Sequence, residues 1–185
     1  MTTLIIDSSH KYLAVGIVQN DKIIANKQAI LKQQQSEYLI SYIKDVLEMA
    51  NVDKKNIHNI VLTDGPGSYT GMRISMAFAK VFALTHKINV YTINTLYSIS
   101  GLNDGFLFLD ARSKRVFGAF KENGELKDQK IYQLDEVKEL DVDLIGDVEL
   151  LNMQEQAINV VKNILVNKNK WVKVENIDLL SPKYQ

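Results

Sequence analysis

The chain has 185 residues, 46% of them hydrophobic and 24% charged, with 22 Lys plus Arg balanced by 22 Asp plus Glu. That length and apolar content support one compact domain or two small lobes and argue against disorder. The even charge balance offers no overall electrostatic pull on nucleic acid or membrane. No cysteine is present, which excludes disulfides, thiolate nucleophiles and cysteine-rich zinc sites.

The opening "MTTLIIDSSH" meets an aspartate at residue 7, without a basic n-region or a full apolar h-region. No apolar run approaches the roughly 18 residues of a membrane span. The expectation is a cytoplasmic protein without a membrane role. "TTLIIDSS", "YLAVGIVQN" and "KIIANKQAI" read as three successive strands, the first two joined by a short turn through Ser9, His10 and Lys11. Leu13, Val15 and Ile17 alternate with Ala14, Gly16 and Val18, so both faces of the second strand are expected to be buried. His10 is expected to be an exposed turn residue.

After the polar "KQQQ", a helix is expected from about Ser36, with Ser36 as N-cap and Glu37 in the first turn. Leu39, Ile43, Val46 and Ala50 form one apolar stripe, and Tyr38, Tyr42 and Met49 a second on an adjacent face. The second stripe serves either a wide core or a partner surface. "NIHNIVLTD" reads as a fourth strand ending at Asp64. "MRISMAFAKVFALTHKI" is apolar nearly all round, which predicts a helix sandwiched on all sides. "NVYTIN" is a further strand and "TLYSISGL" a short helix.

The pattern then restarts. "LFLDARSKRVFGAFKENGEL" resembles "LIIDSSHKYLAVGIVQNDKI" with Asp110 laid on Asp7, which suggests an internal duplication. The expected division is a first lobe over 1–100 and a second over 101–185. "ELLNMQEQAINVVKNILVNKN" reads as one amphipathic helix, followed by "WVKVENI" and an exposed tail.

Chemistry concentrates in "LTDGPGSYTGMRIS", between the fourth strand and the long helix. Gly65, Gly67 and Gly71 allow left-handed backbone angles or close approach, Pro66 fixes φ, and Ser68 or Thr70 can cap the helix. A glycine-rich loop opening onto a helix N-terminus is an anion site in principle. It is neither a Walker A loop nor a dinucleotide fingerprint. Arg73 could meet a phosphate, Asp64 or a partner's carboxylate. Asp7 and Asp110 either cap turns or hold a magnesium ion. His10, His58 and His86 make no helical metal pair, and there is no G-x-S-x-G nucleophile elbow.

"DGPGSYTGMRIS", from Asp64 to Ser75, resembles the signature of the TsaB (YeaZ) family of bacterial tRNA-modification proteins. "LIIDSS", "QSEYLI", "TLYSIS" and "LDARSKRVFGAF" match that family's landmarks in order, so the similarity covers roughly Leu4 to Phe120. The resemblance implies an α/β fold of the actin/Hsp70/sugar-kinase type, with two ribonuclease H-like lobes related by duplication and a reduced second lobe. It implies a non-catalytic subunit that binds a TsaD-type catalytic paralogue and joins a TsaE-type ATPase. Together they make threonylcarbamoyladenosine beside the anticodon of tRNAs reading ANN codons. ATP and metal would then belong to the complex, with no cofactor held by this chain alone.

The expected partner contacts are Tyr38, Leu39, Tyr42, Ile43 and Met49 on the first helix and Met72, Met76 and Lys80 on the second. The same face would serve a homodimer when the paralogue is absent. Gln35 departs from a histidine common in the family, and the tail is reduced to Pro182-Lys183-Tyr184-Gln185. The rival readings are an ATP-binding phosphotransferase or acyltransferase using Asp7 and the glycine loop, and a peptidase, for which no nucleophile–base pair can be assembled.

Overall fold

The computed structural model describes residues 1–31 and 34–183. β1 (Thr2–Asp7) and β2 (Tyr12–Gln19) form an antiparallel hairpin, extended by β3 (Lys22–Ile30). α1 (Gln35–Met49) leads to β4 (Asn59–Thr63), which pairs parallel with β1. α2 (Tyr69–His86) and β5 (Asn89–Ile93) add a second parallel step, and α3 (Thr95–Ser100) closes the first half.

The second half repeats this order. β6 (Gly105–Asp110), β7 (Arg115–Glu122) and β8 (Glu125–Gln133) run antiparallel. α4 (Leu134–Lys138) then leads to β9 (Leu144–Gly146), parallel to β6. The chain ends with α5 (Val160–Val166) and the short β10 (Val172–Lys173). The sheet orders are β10-β5-β4-β1-β2-β3 and β8-β7-β6-β9. The run β3-β2-β1-β4 thus has its counterpart in β8-β7-β6-β9, with Asp7 and Asp110 ending the corresponding strands.

Strand alternation sorts the core into layers. Leu4, Ile6, Leu13, Val15, Ile17, Ile60 and Leu62 point to one face of the first sheet and meet α1 and α2. Ile5, Tyr12, Ala14 and Val61 point to the other and meet Val160, Val161 and Ile164 of α5. β2 is therefore buried on both faces, as its continuous apolar run predicts. In the second sheet, Leu107, Leu109 and Ala119 pack on Leu96 and Ile99 of α3, while Phe106, Phe108 and Val116 pack on Val137 of α4. α3 thus lies between the lobes. At its C-terminal end the buried Lys121 of β7 donates to the Gly101 carbonyl at 2.6 Å, as a cation suits the orphan carbonyls there. Burial lowers the pKa of that ammonium.

Three expectations need correcting. The N-cap of α1 is Gln34, not Ser36. Gln35 is already buried and donates to the His10 carbonyl at 3.1 Å, which draws the N-cap two residues back. The long C-terminal helix is confined to α5. The Val160 N–H is taken by the Gln28 side chain and Asn159 caps Lys162, so the helix cannot extend toward residue 152. Nor is α2 sandwiched on all sides, as described below.

Candidate functional site

Asp7 ends β1 and is 1% exposed. Its Oδ1 accepts from the Ser9 N–H (2.8 Å), the Ser9 hydroxyl (2.6 Å) and the Thr63 hydroxyl (2.9 Å), and its Oδ2 from the Ser98 hydroxyl (2.8 Å). One carboxylate therefore ties together the β1–β2 turn, the end of β4 and α3. Asp110, its counterpart, is exposed and accepts the Arg112 N–H at 2.7 Å, a turn cap.

The glycine loop is occupied by the chain's own backbone. The Ser68 N–H donates to the Ser9 carbonyl at 2.6 Å, and the Ser8 hydroxyl donates to the Gly71 carbonyl at 2.8 Å. A Cβ on Gly67 would stand 2.1 Å from the Ser9 carbonyl oxygen, and one on Gly71 1.9 Å from that of Ser8. Gly67 also holds φ +148°, where side chains are disfavoured. Gly65 and Pro66, joined by a cis bond, face the C-terminal segment, whose Lys183 N–H donates to the Asp64 carbonyl at 2.7 Å. The Asp64 carboxylate pairs with Lys183 Nζ at 2.8 Å rather than with Arg73. Arg73 is exposed and donates to the Tyr69 hydroxyl at 2.7 Å.

Of the two expected caps, Ser68 occupies the N-cap of α2 and accepts the Gly71 N–H at 3.3 Å, leaving Thr70 exposed in the first turn. Ser68→Ala is expected to lower stability by about 1 kcal/mol, read as a shift in the urea midpoint at unchanged slope. A loss indistinguishable from zero would remove the capping role.

The lobes face one another across a cleft of about 1040 Å³, lined by Ser9, His10, Gly67, Ser68, Thr70 and Asp110, among others. His10 is not the exposed turn residue expected. Its side chain is 11% exposed and contacts Asp147. No local pattern announces that contact, because the two residues are 137 positions apart.

The helical surfaces divide differently from expectation. Leu39, Tyr42, Ile43, Met72 and Met76 are buried in the core between the first sheet and its helices, so they are not available as surface contacts. The apolar periodicity that marked them is the periodicity of the core face. Tyr38 and Met49 remain exposed, while Lys80 is partly covered and donates to the Asp178 carbonyl at 2.9 Å. Tyr42 and Asp45 meet Lys27 of β3, which turns that flank of α1 toward the sheet edge. The open apolar surface lies instead on α2. Arg73, Ala77, Val81 and Leu84 recur at helical spacing and are all exposed, Val81 at 65% and Leu84 at 66%.

Two sheets of matching strand order, with helices between and outside them, define an actin-like ATPase fold. The solved structure of YeaZ from Pseudomonas aeruginosa superposes with TM-score 0.74 at 16% identity, covering 100% of this chain and 99% of that one. A family model described as "TsaD: tRNA N6-adenosine threonylcarbamoyltransferase" matches residues 22–175. Among curated relatives, the TsaB protein of Bacillus subtilis is 28% identical over 137 residues, 71% of this chain and 60% of the relative. TsaB of Buchnera aphidicola from Schizaphis graminum is 31% identical over 93 residues, 50% and 44%. The chain belongs to this family and, within it, to the TsaB/YeaZ proteins. It spans about 60% of the Bacillus relative's length and less than half of the Buchnera one's.

An actin-like fold implies a nucleotide and magnesium between the lobes, and the residues present do not fit that pair. Both oxygens of Asp7 are spent on protein donors, and Ser8 and Ser9 carbonyls occupy the approach to Gly71 and Gly67. Among the described residues no group of three or more His, Asp or Glu side chains is arranged to hold a metal. Nor is any described helix long and apolar enough to cross a membrane.

Proposed function

We propose that this chain is a non-catalytic accessory subunit of the assembly that forms threonylcarbamoyladenosine in tRNA. It binds a TsaD-type catalytic paralogue through the outer face of α2. The observation that carries the reading is the uncovered stripe of Ala77, Val81 and Leu84 on a helix whose opposite side is already core. Large apolar side chains repeated along one exposed helix face are what an interface core requires. Ile40 of α1 is also exposed, at 48%. The spent carboxylate of Asp7 supports the non-catalytic half of the reading. A TsaE-type ATPase and tRNA would meet the assembly rather than this chain alone.

The test is reconstitution with the cognate TsaD-type and TsaE-type proteins, threonylcarbamoyl-adenylate, ATP and tRNA. Val81→Glu with Leu84→Glu is expected to weaken paralogue binding by about tenfold or more and to lower modified nucleoside in parallel, with Tm and circular dichroism retained. Charge at Tyr42, a core residue, would report on folding instead. Full binding by the folded double variant would exclude the α2 face.

A further inference from the structure

The turn between β1 and β2 carries an imidazole and an ammonium toward the second lobe. His10 Nε2 lies 2.6 Å from Asp147 Oδ1. Lys11 Nζ lies 3.3 Å from Asp147, 2.5 Å from Glu149 and 2.8 Å from Glu155. The Tyr12 hydroxyl donates to Glu155 at 2.9 Å. We propose that this cluster is an ionic latch, which holds the mouth of the interlobe cleft at a fixed width and releases when its charges are removed.

Both ends of the latch are anchored, so it couples rigid bodies rather than loops. On the first lobe, Ser9 is held by Asp7, Ser8 by Gly71, and the His10 carbonyl by Gln35. On the second lobe, Asp147 accepts the Asp110 N–H at 2.8 Å and donates its own N–H to the Phe108 carbonyl. Its remaining oxygen faces His10 and Lys11. The rest of the lobe junction is built differently: α3 packs on both sheets and α5 on α3, an apolar contact suited to a hinge. Hinge and latch meet at Ser9, whose hydroxyl accepts from the Thr95 hydroxyl of α3 at 3.1 Å and which precedes His10 in the latch turn.

Desolvation sets the strength of the latch. Among the described residues, His10 Nδ1 is buried without a hydrogen-bond partner, so the tautomer with its proton on Nε2 strands no donor and donates to Asp147. Burial alone would raise the Asp147 carboxyl, but the His10 hydrogen bond, the Asp110 N–H and the Lys11 charge outweigh it and hold it below the ordinary range. Glu155 is likewise held low against its burial, by hydrogen bonds from Lys11 and Tyr12. Burial would lower the Lys11 ammonium, and its carboxylate partners outweigh that and push it up. Tyr12 is pushed up to about 12, first by burial and then by Glu155.

The signs follow. The depressed carboxyls stabilise the closed cleft above the ordinary carboxylate range, and that stabilisation is lost as pH falls through their depressed values. The raised lysine stabilises it below the ordinary lysine range, and that is lost as pH rises through its raised value. The latch holds from about pH 5 to about pH 10 and opens in acid. Arg112 and the carboxylate of Asp110 line the same cleft and are the remaining charges facing it from the second lobe.

Because the chain has no cysteine, a single pair of spin labels reports the cleft directly. Glu37→Cys on α1 and Lys114→Cys on the β6–β7 turn are exposed positions on opposite lobes. At neutral pH the labelled full chain is expected to give one narrow distance distribution. Adding Lys11→Met with Asp147→Asn is expected to broaden and lengthen it, with far-ultraviolet circular dichroism unchanged. Asp45→Asn, which breaks an ion pair with Lys27 outside the cleft, is expected to leave it narrow. An unchanged distribution in the folded double variant overturns the latch. Should that variant fail to fold, Lys11→Met alone decides the matter, since it leaves His10 on Asp147. Its distribution must widen, and that of the otherwise unsubstituted labelled chain must widen as pH falls below about 4. A narrow distribution in either overturns the proposal.

Discussion

Asp7→Ala is expected to destabilise the protein by about 4 kcal/mol, because removing the carboxylate strands the Ser9 N–H and the Ser9 and Thr63 hydroxyls in a buried site. For a chain of this size that corresponds to a fall of roughly 10 °C in Tm. Asp7→Asn keeps an acceptor for Ser9 and Thr63, and the Ser98 hydroxyl can turn to the Thr95 carbonyl it already meets at 2.8 Å. Its loss should therefore be about half as large or less. Denaturant unfolding of both variants checks the ordering. A loss below about 1 kcal/mol for alanine would mean that the carboxylate is kept for something other than architecture. Loss of modification by Asp7→Ala accordingly says nothing about catalysis until its folding has been measured.

Gly71→Ala is the second large effect. The added methyl group would meet the Ser8 carbonyl oxygen at 1.9 Å, a backbone atom fixed by the β1–β2 turn, so α2 must lift away from the end of β1. A cost of about 3 kcal/mol is expected from forced separation of packed elements. Gly67→Ala adds an unfavourable φ to a similar clash. Thermal unfolding with a bound hydrophobic dye would register the loss. A normal Tm for Gly71→Ala would show that the loop yields where the packing says it cannot.

These two sites show what was legible in the sequence. The hairpin, the two parallel steps and the repeat of Asp7 at Asp110 all rest on local signals: alternation, strand-ending aspartates and turn residues. Each corresponds to a feature of the fold. The glycine loop was legible as a loop, but its role was not. A glycine kept for phosphate and one kept for a neighbouring carbonyl leave the same letter, and only the partner 63 residues away separates them. The helix faces misled for a related reason. Tyr42, Met72 and Met76 carry the residue types of an interface, yet they fill the core, while Ala77, Val81 and Leu84 carry the types of a core and lie open. Helical spacing marks apolar faces without saying which one the rest of the chain will cover. The pairing of His10 with Asp147 has no local trace at all.

The return of α5 and β10 to the first sheet governs the order of assembly during synthesis. Ile5, Tyr12, Ala14 and Val61 are covered by Val160, Val161 and Ile164, which are translated about a hundred residues after β4. Chains emerge N-terminus first, so β1, β2 and β4 have this face covered only by Tyr97 of α3 until α5 is free of the ribosome. The second lobe, translated between them, can reach its own pairing earlier. The first sheet is thus completed after the second, and its partly covered face is where chaperones or premature association would act on a nascent molecule.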